Sequence, residues 1–493
     1  MSAPAASPGP SFGARAARGT LWTAVRHFIE YALRLGSNLI LTRLLFPEAF
    51  GLTAVITALV VGLGLFSDIG LTTSVVQSPR GEDPRFLRTV WTLQVVRGVA
   101  LWTIASALAV PMAWFYGEDQ LRWLVPVSSL TALLGGLNSV SLMRMQRNMQ
   151  LGRLAGLELT TQLVQFAATV AWAYAHPSVW ALIGGALIGH SVRMGLSHVL
   201  ARGAAFGFAW EREAVGQLLH FGKWIFVSTA LFFVTAQADR LLFGKLFDFA
   251  MLGIYGNALV LATLPVQLLW SVGNFVLLPA FSEQVRNGEA LGATYRRLQL
   301  PVLMLGGLPV AGLLACGPEL IEVLYDPRYW EAGWMLQLLA VGAWFQVAQT
   351  LSSNALLALG APHWMAIGNA VKLGAMVAVV PVGYALQGAG GAIGALAATE
   401  TFRWATFTFA AERRGLPGWR TEGGCALVVG AASAAGWFAT DALRSGGWGA
   451  IPALCGGVAA LLAVWLPASG LLLRNDLSML WARVPRRRRA PVS

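Results

Sequence analysis

Arg26, Glu30, Arg34 and Asn38 stand four residues apart, so a helix through them carries one polar stripe. Two guanidiniums and one carboxylate leave that stripe net positive, and guanidinium grips phosphate or carboxylate with paired hydrogen bonds. The segment around them, roughly residues 19–41, is otherwise apolar. Its length matches the ~20 residues that cross a bilayer. Charge at that depth is costly and usually faces a protein interior or a water-filled cavity. The stripe therefore reads as the wall of a cavity that handles an anionic substrate. It also fits a plain intramembrane ion-pair ladder, with Glu30 neutralising both arginines.

Other charged residues fall inside apolar runs. Arg97 and Glu158 either line the same cavity or pair with Arg26 or Arg34. Lys372 lies in one late run, and Glu400 and Arg403 in the next. Glu400 and Arg403 are three apart and can pair, leaving Lys372 as a second candidate cation. Asp68 precedes Ile-Gly and reads as a helix cap or break, with ion coupling as the sharper role. Asp239 and Arg240 read as a local ion pair or cap, or as a gate. His190 and Arg193 are expected to snorkel to the interface, and Lys223, one turn after His220, is expected to be interfacial too.

These residues need membrane helices to place them. Of 493 residues, 56% are hydrophobic and only 12% charged. A polytopic α-helical membrane protein accounts for that balance, because backbone polar groups in lipid must be satisfied within each helix. Apolar runs suggest fourteen spans, at 19–41, 49–74, 88–110, 121–143, 154–175, 178–200, 216–238, 251–278, 299–317, 333–358, 364–384, 388–410, 424–441 and 448–473. The last two lack internal charge and read as a peripheral addition. With the N-terminus in the cytoplasm, 22 lysines and arginines fall in cytoplasmic segments and 6 on the other side. That asymmetry predicts N-in and C-in. The net charge of +12 is then a topology signal, and the PRRRR run in the basic tail favours anionic membrane lipid rather than nucleic acid. Cys316, Cys425 and Cys455 are scattered, with no metal-ligand spacing, so no disulfide, metal or cofactor is expected. The polar N-terminal tail lacks the ordered parts of a signal peptide. Most tryptophans belong to the interface belt, and the glycine run at 388–396 reads as a tight turn with close helix packing.

There is an internal echo. The segment Arg43–Leu52 matches Lys245–Ile254 at a constant offset of 202, and Phe115-Tyr116 echoes Leu324-Tyr325. The echo predicts two parallel six-span repeats, with substrate handled between the halves. The expected organisation is a tail at 1–18, an N-lobe at 19–203, a C-lobe at 204–415, two further spans within 416–474 and a basic tail at 475–493.

The strings TRLLFPEAFG at 42–51, GLFSDIGLTTSVVQ at 64–77, HFGKWIFVSTALFFVTAQADRLLFGKLF at 220–247 and LGIYGNALVLATLPVQ at 252–267 resemble the Wzx-type oligosaccharide flippases of the MOP superfamily. The FVLLPAFSE stretch at 275–283 does too, and the likeness covers roughly residues 15–415. The resemblance implies a non-enzyme that moves undecaprenyl-diphosphate-linked oligosaccharide across the bacterial inner membrane. The product would feed O-antigen, capsule or exopolysaccharide, with a polysaccharide polymerase and a chain-length regulator as partners. A multidrug or cation antiporter of the same superfamily would favour acidic cavity residues instead. A lipid II flippase is chemically close. A membrane oligosaccharide polymerase would need a large outer loop, and the longest here is about 318–333.

Overall fold

The computed structural model describes residues 29–66, 70–200, 207–216 and 237–482. Arg26, Asp68, His220, Lys223, the N-terminal tail, residues 483–493 of the C-terminal tail and nearly all of the run at 216–238 lie outside the described residues, while 475–482 continue the last helix. The described chain is overwhelmingly helical. It falls into two compact units, residues 1–257 and 258–493. Eight helices among the described residues are long and apolar enough to cross a bilayer, and one bent pair makes a ninth. Their outward faces carry large apolar side chains such as Trp114, Leu386 and Leu427. The chain is a multi-pass membrane protein.

Unit 1 contains α1 (residues 29–44), α2 (Pro47–Phe66), α3 (Leu71–Gln77), α4 (Pro84–Tyr116) and α5 (Leu121–Gly136). It continues with α6 (Ser141–Arg147), α7 (Leu151–Ala175), α8 (Val179–Val199), α9 (residues 237–246) and the start of α10 (Phe249–Ala262). Its core is built on Leu45, Ile56, Ala105, Leu121, Leu124 and Ala181. Asp83 caps α4 by accepting from Arg85 N at 2.9 Å, with Pro84 at the first helical position. Helices α4 and α5 meet at glycine, since a Cβ on Gly98 or on Gly136 would lie 3.0 Å from the other residue's Cα.

Two expected continuous spans are broken. The run at 49–74 is divided, with α2 ending at Phe66 and α3 starting after Gly70, whose φ is +65°. The run at 121–143 bends by 57° between α5 and α6. Backbone carbonyls freed at such a break must find other donors.

At one end of unit 1 three connecting segments lock together. Arg80 pairs with Asp83 at 2.7 Å and with Glu211 at 2.8 Å, and Arg144 pairs with Glu82 at 2.6 Å. Arg147 caps α3 by donating to the carbonyls of Val75, Val76 and Ser78 at 2.6–2.9 Å. These segments carry basic residues that the charge asymmetry assigns to one side. At the other end Lys245 donates to Phe115 O at 2.6 Å, and the two echo segments touch reciprocally. A Cβ on Gly51 would stand 1.9 Å from Phe249 O, and one on Gly253 would stand 1.9 Å from Pro47 O. Phe249 is the counterpart of Pro47, as Gly253 is of Gly51, so the contact is self-complementary like a two-fold interface.

Unit 2 holds the end of α10, α11 (Leu264–Val272), a π turn at Gly273–Leu277, α12 (Leu278–Arg286) and α13 (Gly292–Leu324). Then come α14 (Ala332–Ala358), α15 (His363–Glu412), α16 (Trp419–Ser445) and α17 (Ala450–Ala482). The expected runs at 364–384 and 388–410 are the two arms of α15, interrupted at Gln387 and Gly388. The arms fold back on each other, since a Cβ on Gly391 would lie 2.0 Å from Gly383 O. The turn and close packing expected of the glycine run are present. Helix α16 begins before its expected start, so its apolar character needs correction. Glu422, in its first turn, is buried and accepts from Trp404 Nε1 at 2.7 Å and Gln299 Nε2 at 3.3 Å. That network ties α16 to α13 and α15.

Candidate functional site

A cavity of about 700 Å³ lies inside unit 1, walled by α2 to α8 towards the end that carries Arg80 and Arg147. Four of the sequence-selected residues meet in it. Arg97 donates to Gly64 O at 2.6 Å, and Arg193 pairs with Glu158 at 2.6 Å. His190 completes the set, with Nδ1 2.9 Å from Ala186 O. The expectation that His190 and Arg193 reach out to the interface is therefore corrected: Glu158, one helix away, draws Arg193 inward. Among the described residues, the charged side chains of the cavity wall are two arginines and one glutamate.

The break between α5 and α6 supplies the polar floor. Gln94 Nε2 donates to the carbonyls of Gly135, Gly136 and Asn138 at 3.1, 3.1 and 3.0 Å. His198 Nε2 lies 2.9 Å from Leu137 O. Gln94 Oε1, Asn138 Oδ1 and Arg193 Nε are buried without a partner among the described residues. Each such atom costs about 1–3 kcal/mol unless a partner arrives. Gln94 and Asn138 carry no charge that singles them out in the sequence. The turn-forming stretch Gly135-Gly136-Leu137-Asn138-Ser139 was the available signal of a break.

The stripe on α1 lies towards the other end of unit 1. Glu30 is half-buried and Arg34 exposed. Asn38 donates to Asn257 Oδ1 at 2.6 Å, and Asn257 is anchored by Gly253 O at 3.1 Å. Asp239 accepts from the buried Tyr255 hydroxyl at 2.7 Å, and Arg240 donates to Gln237. Asp239 and Arg240 are thus satisfied by different neighbours. Asn257 and Tyr255 were missed as site residues.

Unit 2 buries its own charges. Glu400 pairs with Arg403 at 2.6 Å, as their spacing predicts, and also with Lys372 at 2.6 Å. Gln349 accepts from Arg403 Nη2 and Nε at 2.9 and 3.1 Å. Lys372 is not left over as a separate cation, because the α15 hairpin brings Glu400 to it. The triad retains one net positive charge, but its members are only 6–16% exposed.

The chain matches the family described as "Polysaccharide biosynthesis protein" over residues 40–333. It is 25% identical to the amylovoran biosynthesis protein AmsL of Erwinia amylovora, across 51% of this chain and 65% of that protein. It is 23% identical to the lipopolysaccharide biosynthesis protein WzxC of Escherichia coli (strain K12), across 66% of each. The chain thus aligns with just under two thirds of the length of these relatives. Among solved structures it is similar to the lipid II flippase MurJ in an inward closed conformation, with a TM-score of 0.76. That match covers 93% of this chain and 99% of the other at 14% identity, a likeness of fold.

Proposed function

The chain belongs to the polysaccharide biosynthesis protein family, and on that premise we propose that it is a flippase for polyprenyl-diphosphate-linked oligosaccharide. It carries this precursor across the bacterial inner membrane for surface polysaccharide synthesis. The observation that carries the reading is a cavity at a broken span whose described charged residues are two arginines and one glutamate, in a fold shared with a lipid flippase. Irregular backbone at membrane depth is tolerated only where it is buried in protein or lines a watery cavity.

The substrate has an apolar tail, a diphosphate and a polar sugar head. The tail stays in lipid, while the diphosphate and sugar need solvation by water or protein along the way. N-in, C-in topology opens the unit 1 cavity towards the cytoplasm, where Arg97 and Arg193 meet the anion first. Arg34 and Arg240 lie further along, with Arg26 and Glu30 on the same stripe, and the Gly51–Gly253 contact closes the outer side. Alternating access then requires that contact to part. A diphosphate drives the exchange only if it is held more strongly in the occluded state than in either open one. Glu158 tempers the charge, because release fails where binding is too strong. Asp68, Asp239 and Arg240 are candidate gating or coupling groups, and the Lys372, Glu400 and Arg403 triad holds the α15 hairpin together.

The test is surface polymer in a deletion strain complemented at matched expression. The wild-type chain should restore polymer, with Arg34→Ala and Arg97→Ala each lowering it. Full polymer from both variants would remove the cationic path from the mechanism. No polymer from the wild-type chain would remove the flippase assignment.

A further inference from the structure

The first turns of α4 set exposed arginines beside exposed aromatic rings. Phe208 and Trp210, on the segment at 207–216, are 70% and 60% exposed. Three contacts fix that segment along α4. The Phe208 ring lies 5.1 Å from the Trp91 ring, and Ala209 N donates to Thr92 Oγ1 at 3.1 Å. Glu211 pairs with Arg80 at 2.8 Å, and Arg80 pairs with Asp83, the N-cap of α4, at 2.7 Å. The two rings therefore flank the start of that helix, where Arg85 and Arg88 are exposed. Neither guanidinium makes a hydrogen bond or ion pair with a described residue. The neighbouring carboxylates are engaged, Asp83 and Glu211 by Arg80 and Glu82 by Arg144. Glu213 adjoins Arg212, so those two add no net charge. Among residues 1–257, the stretches outside the described residues contain a single carboxylate, Asp68, in the link from α2 to α3. Helix α3 packs on the buried side of α4, with Leu71 and Val75 against Phe86, Leu87 and Val90.

Helix α4 also gives the depth of this cluster. Its exposed large apolar side chains run from Val96 to Phe115. That stretch rises about 28 Å at ~1.5 Å per residue, close to the ~30 Å hydrocarbon core of a bilayer. On the same count Trp91 lies about 7 Å beyond Val96 and Arg88 about 12 Å. The rings stacked at Trp91 thus sit in the headgroup layer, where aromatic side chains collect. Arg85 and Arg88 stand at its watery edge, with side chains long enough to reach back to phosphate. We propose that this corner of unit 1 binds the headgroup of an anionic phospholipid in preference to a zwitterionic one. Arg85 and Arg88 take the phosphate, and Phe208 and Trp210 cover the glycerol and upper acyl chains. Bridging α4 and the segment at 207–216, the lipid adds to the lock that Arg80 makes with Asp83 and Glu211. The site lies on the lipid-facing surface and stands without the flippase reading.

Native mass spectrometry of the full chain released from detergent micelles counts bound lipid, with phosphatidylglycerol and phosphatidylcholine of matched acyl chains as probes. Phosphatidylglycerol should be retained about tenfold more strongly, the scale expected of two arginines at an anionic headgroup. Arg85→Gln combined with Arg88→Gln should cut that preference to about twofold or less. Phe208→Ser combined with Trp210→Ser should instead weaken both lipids alike. Arg488→Gln combined with Arg489→Gln removes the same charge from the basic tail and should keep most of the preference. Phosphatidylglycerol should also raise the wild-type unfolding midpoint more than phosphatidylcholine does, a comparison that needs no variant to fold. Equal retention of the two lipids by the wild-type chain would overturn the proposal. So would a preference that survives the loss of Arg85 and Arg88, an equal fall in the tail variant, or the same midpoint in both lipids.

Discussion

Two groups of intramembrane charge have the same composition and opposite settings. Arg97, Arg193 and Glu158 in unit 1 carry two positive charges and one negative, as do Lys372, Arg403 and Glu400 in unit 2. The unit 1 group borders a cavity of about 700 Å³, and its Arg193–Glu158 pair is 33% and 20% exposed. The unit 2 group is packed shut, with Glu400 bridging both cations and only 6% exposed. Charge at membrane depth does not by itself mark a binding site. What separates the two is whether the charged group faces space that a ligand can enter.

Removing the bridging carboxylate should separate them most sharply. Glu400→Gln leaves Lys372 and Arg403 buried without a counter-charge, for an expected loss of about 3–5 kcal/mol. Glu158→Gln leaves Arg193 one-third exposed beside the cavity, so about 1 kcal/mol or less is expected. Unfolding midpoints in detergent would read both, and equal losses would erase the distinction. Arg97→Ala should reverse the ranking, lowering polymer export about tenfold or more with little change in midpoint. A folded Arg97→Ala chain exporting at the wild-type level would place the cavity on the same structural footing as the triad.

A smaller effect is expected at the echo contact. Gly51→Val drives a side chain into Phe249 O and should part the outer turns. Cysteine pairs joining residues 46–50 to 247–251, in a chain lacking its native cysteines, should crosslink readily with Gly51 and poorly with valine. Undiminished crosslinking would mean that the contact gives way without opening. The smallest effect concerns pH. Hydrogen bonds from Arg80 hold the Asp83 and Glu211 carboxyls below the ordinary carboxylate range. Their contribution is complete above the unfolded value of about 4 and fades as pH falls through the lower folded values. Arg80→Gln should therefore cost stability at neutral pH and converge with wild type in strong acid. A difference that grows on acidification would contradict the pairing.

Hydropathy located the helices because a membrane span is a local property. The expected runs inside the described residues coincide with helix except where 49–74 is divided and 121–143 bends, and the Glu400–Arg403 pair follows from three-residue spacing on one helix. The Lys372–Glu400 pair was not legible, since it depends on the reversal at Gly388. The pairing of Arg193 with Glu158 likewise joins two helices and moves Arg193 from the interface to the cavity. Gln94 and Asn138 carry no charge to mark them in the sequence, whereas a broken helix recruits amides to satisfy its carbonyls. The break had local turn signals in Gly135-Gly136 and Asn138-Ser139, but the surrounding apolar run outweighed them. Asn257, the partner of Asn38, lay inside a recognised motif without any charge to single it out.

The most direct test reconstitutes the chain in liposomes with a fluorescent polyprenyl-diphosphate oligosaccharide and measures how much of the inner-leaflet lipid becomes accessible to a membrane-impermeant quencher. Wild-type vesicles should expose the inner pool, and Arg97→Ala vesicles should do so about tenfold more slowly. Wild-type vesicles no faster than protein-free ones would contradict the account at its centre.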